Sequence, residues 1–594
     1  MMQFLDTPTP FFFFTGKGGV GKTSVACATA VELVEDGKRV LLVSTDPASN
    51  VGQVFNTRIG NTITPIASVP GLDALEIDPE EAAQAYRDRI LAPVANILPA
   101  KDLAAITEQL SGSCTTEIAS FNEFTELLSD PEMTQTYDHV IFDTAPTGHT
   151  IRLLQLPGEW TNFLDAGKGD ASCLGPMSGL DKQRSTYRGA LDALKDPSRT
   201  RLILVARAQE TTLTELGRTQ AELAETGINA THLVINGVLP EAEDGDLARA
   251  IHTREQAAMD AMPTHIAGLI RDTIALKAMN MVGLPALRAL LSPTHAQSEG
   301  NVMGIGTAME LPGLDDQIRQ IEAAGHGLVM TMGKGGVGKT TVASAIAVAL
   351  ATRGHDVLLT TTDPAAHVSH ALAEGLPTLE VASINPEVAT QQYRDHVMAT
   401  KGKHLDEAGR EALAEDLMSP CTEEIAVFQQ FSEAVRQARR RFVIMDTAPT
   451  GHTLLLMDAT GSYHRDIARH MDEGAAFITP LMRLQDADYT KVIIVTLPET
   501  TPILEAQGLQ SDLERANIHP WSWVVNNSLA ATHPTSPLLA QRAAAEHDQL
   551  NTVAQTSDRV AVIATQLHEP TNRTQLISLT TPNTGNQETM RRTG

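Results

Sequence analysis

The sequence predicts an α/β fold made twice: two tandem, homologous, doubly wound and mostly parallel sheets, each with a helical insertion. Three observations lead there. First, four words recur in the same order: GKGGVGKT at Gly16–Thr23 and Gly333–Thr340, STDPA at Ser44–Ala48 answered by TTDPA at Thr361–Ala365, CTTEIASF from Cys114 answered by CTEEIAVF from Cys421, and DTAPTGHT from both Asp143 and Asp446. The spacing between copies drifts only slowly and is far too long for a solenoid, so this is a duplicated domain. Second, each half alternates short β-branched or aromatic runs with helical patterns, as a parallel sheet with crossover helices does. Third, 594 residues are too many for one hydrophobic core.

In chain order, Phe11–Phe14 and Leu328–Met332 are short apolar strands that run into the two glycine-rich words. VACATAVELVEDG and VASAIAVALATRG follow as helices, closed by Gly37 and Gly354. RVLLVSTD and DVLLTTTD, YDHVIFD and RFVIMD, RLILVA and VIIVTL, and HLVIN and WVVN supply the remaining strand pairs. The alanine-rich stretches from Pro79 to Thr136 and from Pro386 to Arg440 read as matched helical insertions carrying Cys114 and Cys421. A Pro/Gly/Ser-rich linker, SPTHAQSEGNVMGIG, separates the copies, and the amphipathic LDDQIRQIEAAG leads into the second. The halves are therefore set at 1–292 and 321–594, with 293–320 as linker. The polar tail after Leu567 is expected to fray.

Lys and Arg number 45 against 72 Asp and Glu, a net charge of −27. That balance speaks against nucleic acid and against anionic membrane surfaces, which need clustered cations. Its plainest role is solubility. The opening MMQFLDTPTPFFFFTG lacks the basic n-region and apolar length of a secretory signal. Val342–Ala351 falls short of the roughly 18 apolar residues that a span requires, so no direct membrane span is expected. Four cysteines without a C-x-x-C pair read as free thiols in a reducing, cytoplasmic compartment.

GKGGVGKT fits G-x-x-x-x-G-K-[ST] between a strand and a helix, the context that turns this motif into a phosphate cradle for ATP. Gly16, Gly18, Gly19 and Gly21, with Gly333, Gly335, Gly336 and Gly338 in the second copy, let backbone N–H groups converge on phosphate oxygens. Lys22 and Lys339 would reach the β- and γ-phosphates, and Thr23 and Thr340 would offer hydroxyls to Mg²⁺. Asp46, Asp143, Asp363 and Asp446, at strand ends, would serve the metal's water shell and position the attacking water. A purely structural glycine turn does not account for two complete copies with matched acidic partners. The early lysine of each loop, Lys17 and Lys334, would be an ordinary surface lysine but for the G-K-G-G word. There the sequence resembles the deviant P-loop class, which pairs two nucleotide sites face to face; the resemblance implies a pseudo-dimer of halves in which each of these lysines serves the nucleotide of the other half.

Sulfur adds a second theme. In S-P-C-T-E-E, Ser419 fits an N-cap and Pro420 the first helical position, which puts Cys421 in the first turn, where the helix dipole favours thiolate. Cys114 occupies the matching place. Free cysteines are usually small buried hydrophobes, and Cys27, in the helix after the first loop, reads so. With the tandem loops, the CTTEIA/CTEEIA pair, the duplicated DTAPTGHT and Cys173, both halves resemble the ArsA family of arsenite-efflux ATPases. The resemblance implies a metalloid-stimulated ATPase that binds As(III) or Sb(III) through Cys114, Cys173 and Cys421, a soft centre suited to thiolates. It implies a membrane efflux permease of the ArsB kind as partner, with a metallochaperone feeding it, and a peripheral place at the inner membrane when that partner is bound. It also puts His149, His452 and Ser419 at or near the metalloid, with a structural hydrogen-bonding role as the alternative for the histidines. Asn236 and Asn526 fall where relatives hydrogen-bond adenine. A Get-type targeting chaperone binding apolar helices is the competing function, disfavoured by the fusion and the missing C-x-x-C. A ParA-like partitioning ATPase is disfavoured by the charge.

Overall fold

The computed structural model describes residues 2–45, 51–92, 113–144, 180–292, 312–362, 376–417, 420–447 and 479–580. The chain divides into two compact units, Met1–Asp244 with Ala248–Gly300, and Gly245–Leu247 with Asn301–Gly594.

The first unit is built on an eight-stranded sheet in the order β3-β4-β2-β5-β1-β6-β7-β8. Its strands are β1 (Phe11–Thr15), β2 (Val40–Ser44), β3 (Thr64–Pro65), β4 (Leu72–Glu76), β5 (His139–Asp143), β6 (Thr200–Ala206), β7 (His232–Val238) and β8 (Ile270–Ala275). All pair in parallel except β3 with β4. A central parallel strand is buried on both faces, and this explains the run of four phenylalanines in β1. Phe12 and Phe14 enter one core with the helix α1 (Lys22–Glu35), while Phe11 and Phe13 enter the other. On that second face Phe13 stacks on Phe142 with ring centroids 4.5 Å apart. Burying each such ring contributes roughly 1.5–3 kcal/mol, so this strand anchors the loop that follows it.

The second unit repeats the plan in seven strands, ordered β11-β10-β12-β9-β13-β14-β15 and parallel throughout. They are β9 (Gly327–Met332), β10 (Val357–Thr361), β11 (Leu379–Ser383), β12 (Phe442–Asp446), β13 (Thr490–Thr496), β14 (Ser522–Ser528) and β15 (Val560–Ala564). The two sheets share one strand order, β3 aside. The expected strands all form. Five further ones, β3, β4, β8, β11 and β15, lie at or next to the sheet edges, and β8 exposes alternate residues.

The helices that bear on the site are α2 (Pro79–Leu91), α3 (Ser113–Ser129), α4 (Leu180–Lys195), α5 (Glu210–Glu225), α6 (Asp246–Asp260) and α7 (Leu284–Leu290) in the first unit. The second unit has α8 (Leu314–Glu322), α9 (Lys339–Thr352), α10 (Pro386–Thr400), α11 (Pro420–Gln437), α12 (Thr500–Arg515), α13 (Pro537–Thr556) and α14 (Arg573–Ser578). The helical insertions are α2 packed on α3, and α10 packed on α11. Both start on a capped proline turn: Asp78 accepts from Glu80 N and Glu81 N, and Asn385 from Val388 N.

One sequence expectation fails. The tail after Leu567 does not fray as far as Thr580: Asn572 and Gln575 form a reciprocal capping box for α14, and Leu576 and Leu579 enter the core beside α9. These two leucines stand where Leu287 and Leu290 of α7 pack beside α1, so the polar tail is the second copy of that helix. Each unit also carries a short leader on its last strand. In the first, the carboxylate of Asp272 on β8 accepts from Gln3 N and Phe4 N at 2.8 and 2.9 Å. In the second, Val562 of β15 donates its N–H to Pro312 O at 2.8 Å, and α8 follows with Leu314, Ile318 and Ile321 in the core. The second unit thus takes in residues that composition alone assigns to the linker.

Candidate active site

Each phosphate loop hangs between a buried central strand and a helix that starts at the motif's second lysine, Lys22 or Lys339. Gly21 and Gly338 are the N-caps of α1 and α9 and sit in the left-handed region, at φ +88° and +91°. A Cβ there would overlap the side-chain amide of Asn236 or Asn526. Only glycine meets both demands, and the helix N–H groups are left facing the loop's concavity. Asn236 donates Nδ2–H to Val20 O at 2.8 Å, and Asn526 to Val337 O at 3.0 Å. The asparagines are thus struts for the loop backbone from the ends of β7 and β14.

Lys22 and Lys339 are buried and curl over their own loops, Nζ donating to Lys17 O at 3.3 Å and to Lys334 O at 3.1 Å. Thr23 Oγ1 donates to Asp143 Oδ2 at 2.6 Å, and Thr340 Oγ1 to Asp446 Oδ2 at 2.6 Å. Both aspartates are fully buried at the ends of β5 and β12. A hydroxyl and a buried carboxylate in contact beside a phosphate cradle form an all-oxygen donor set, which suits Mg²⁺ and its water shell. Asp46 and Asp363, expected to complete that set, lie outside the described residues. Among the described residues no three His, Cys, Asp or Glu side chains cluster to hold a metal.

Lys17 and Lys334 do not project freely. Lys17 Nζ lies 2.7 Å from Glu215 Oε2 on α5, and Lys334 Nζ lies 2.5 Å from Glu505 Oε1 on α12. The second pair is the more enclosed, its side chains 15% and 10% exposed against 30% and 20%. Sequence reading missed both glutamates. Their signal was available, since they occupy one register of the repeat, eight residues past Arg207 in the first copy and past Leu497 in the second.

The sulfur residues are partly out of view. Cys114 and Cys421 are each the second residue of a helix, α3 and α11, as the motif predicts. Their side chains, with Cys173, His149, His452 and Ser419, lie outside the described residues. Cys27 is fully buried in the α1 core, and burial, with Asp143 second, pushes its thiol well above the usual range. It is a packing residue, as expected. No described helix is long and apolar enough to cross a membrane.

The sequence profile of the anion-transporting ATPases matches residues 9–293, 326–484 and 457–572. The chain is 58% identical over 581 residues to the arsenical pump-driving ATPase of Escherichia coli, covering 97% of this chain and 100% of that one. It is 58% identical over 578 residues to the arsenical pump-driving ATPase of Acidiphilium multivorum, covering 96% and 98%. Similarity to the ATPase GET3 of Eremothecium gossypii is 32% over 257 residues, 39% of this chain and 73% of the relative.

Proposed function

The chain belongs to the anion-transporting ATPase family and is an ATP hydrolase, and from that premise we propose that it is a metalloid-stimulated pump motor. It binds As(III) or Sb(III) and couples ATP hydrolysis to arsenite and antimonite efflux through a membrane permease. The observation that carries this reading is the match across both copies, 97% of the chain, to a protein named as an arsenical pump-driving ATPase.

Chemically, each loop presents helix N–H groups and a buried lysine to the β- and γ-phosphates, and stabilises charge as it shifts to the leaving oxygen. Thr23 with Asp143, and Thr340 with Asp446, would hold Mg²⁺, which when bound would supply positive charge against the phosphates. Asp46 and Asp363 are assigned the attacking water. Adenine is assigned to the neighbourhood of Asn236 and Asn526, at the ends of β7 and β14. Lys17 and Lys334 are phosphate ligands in waiting, exchanging Glu215 and Glu505 for the nucleotide's negative charge. Three thiolates, from Cys114, Cys173 and Cys421, take the soft metalloid; His149, His452 and Ser419 stand near it, and a metallochaperone delivers it. The protein works in the cytoplasm and at the inner membrane when its permease is bound.

The test is steady-state ATP hydrolysis against antimonite. Cys114→Ser, Cys173→Ser and Cys421→Ser each leave at most two thiolates, so stimulation is expected to collapse while basal turnover survives. Full stimulation in all three variants would overturn the metalloid reading and favour a targeting chaperone.

A further inference from the structure

Two glutamates that the chemistry above does not use, Glu546 buried and Glu255 half-buried, hold the same loop in the two units. After β7, Leu239 donates its N–H to Glu255 of α6, at 3.1 and 3.3 Å from the two carboxylate oxygens. After β14, Glu546 of α13 accepts from Ser528 Oγ at 2.8 Å, Leu529 N at 3.1 Å and Ala530 N at 2.9 Å. Burial raises the carboxyl pKa of both. The helices that carry them, DLARAIHTREQAAMD and PLLAQRAAAEHDQLNTVAQT, otherwise have little in common. Burying a carboxylate is costly unless its hydrogen bonds return the energy, so its persistence in two divergent helices points to the loop it holds.

That loop lies on the side of the phosphate cradle away from the metal. In the first sheet β5, with Asp143 beside Thr23, flanks β1 on one side, and β6, β7 and β8 lie on the other. The γ-phosphate is drawn towards Asp143 and Thr23, so the nucleoside extends across the carboxyl ends of β6 and β7, where ligands of such sheets sit. Asn236 braces the cradle from the end of β7, and the glutamate-held loop starts three residues further on. We infer that Glu255 and Glu546 are positioning residues that fix the loop framing the nucleoside end of the bound nucleotide. This rests on the ATP site proposed above.

The two loops are not held equally. Arg207, at the end of β6, donates to Asn236 O and Gly237 O, both at 3.4 Å, and steadies the first loop from a second side. Gly237 is at φ +73°, and a Cβ there would run into the guanidinium. The corresponding residues of the second copy are Leu497 and Asn527, the latter at φ +59°. In the second loop Thr565 bonds Asn527 O and Ser528 O instead, while Glu546 takes three donors where Glu255 takes the Leu239 N–H, so the larger effect is expected at Glu546.

Titrating the full chain with Mg-ATP and, separately, with Mg-tripolyphosphate separates positioning from general stability. Glu546→Gln keeps the shape but turns an NH₂ towards N–H donors. It is expected to weaken Mg-ATP binding at one site by about tenfold, the worth of one charge-assisted hydrogen bond, and to leave tripolyphosphate binding unchanged. Glu255→Gln gives a smaller loss of the same kind. Ser528→Ala, which removes one donor to the carboxylate and a long bond from Ala531 N, gives about threefold and serves where Glu546→Gln folds poorly. Equal losses on both ligands, or no loss on ATP, would overturn the assignment. Wild-type protein that binds tripolyphosphate as tightly as ATP would instead strike the placement of the nucleoside beneath it.

Discussion

The two phosphate loops are nearly interchangeable, and their surroundings are not. Thr23 to Asp143 and Thr340 to Asp446 measure the same 2.6 Å, and the two lysines and two asparagines make matching bonds. Around them, Arg207 corresponds to Leu497, Cys27 to Ser344, and a partly exposed ion pair at Lys17 to a more enclosed one at Lys334. After duplication, phosphate chemistry tolerated almost no change, because a shift of a fraction of an ångström in a donor costs rate. Packing and second-rank contacts were free to drift within a kilocalorie or so. Differences in behaviour between the two sites should therefore originate in the flanks.

The most damaging test of that comparison is Lys22→Ala against Lys339→Ala. Each should reduce hydrolysis at its own site by about a hundredfold to a thousandfold, the cost of losing a charge donor aimed at the transition state. Single-turnover measurements on the two variants check it; losses that differ by more than tenfold would break the equivalence of the loops, and turnover within twofold of wild type in both would remove the site assignment. Glu505→Gln against Glu215→Gln sharpens the flank argument. The first strands an enclosed Lys334 and should cost about 1–3 kcal/mol in nucleotide-free thermal unfolding, whereas the more exposed pair should cost less than about 1. Cys27→Ser rewrites the first core as the second, which has a buried Ser344 at that position. A cost of about 1 kcal/mol is expected from burying the hydroxyl, with metalloid stimulation intact. In the parent, the raised pKa of Cys27 keeps it a thiol at neutral pH, so iodoacetamide should label it far more slowly than an exposed cysteine.

The smallest effect concerns acid. His139 and His232 are buried in the first unit, and burial lowers the pKa of both. Phe442 and Ser522 occupy those places in the second. A base with a depressed pKa in the folded state lets the unfolded chain take up protons that the native one refuses. Stability is therefore intact above the ordinary histidine value of about 6.5 and is lost as the pH falls through and below it. His139→Phe should make the fall in Tm between pH 7.5 and 5.5 shallower; a fall as steep as in wild type would assign the acid sensitivity elsewhere.

The duplicated plan and the phosphate chemistry were legible because they are written in contiguous words. GKGGVGKT carries its own strand, turn and helix, and the four phenylalanines announce a strand buried on both faces. The edge strands were not legible: β4 reads LDALE and β8 reads IRDTIA, since a strand at an edge spends polar residues on solvent. Helix α14 was hidden by its polar composition, although setting NRTQLISL beneath GLPALRAL would have revealed it. Glu215, Glu255, Glu505, Glu546 and Arg207 escaped for another reason. A glutamate on a helix is ordinary composition, and only the fold tells which loop it meets.

The short leaders on β8 and β15 bear on how the protein keeps from sticking to itself. An edge strand offers a row of open backbone groups to any passing chain, and parallel sheets assembled from distant segments expose such edges while they form. Phe4 is fully buried, Gln3 Nε2 caps Arg271 O on β8, and Pro312 takes the N–H of Val562 on β15. Each leader thus occupies the place where a stray strand would add. Trimming residues 1–8 would leave the phosphate loop untouched and still expose β8 as a site of self-association.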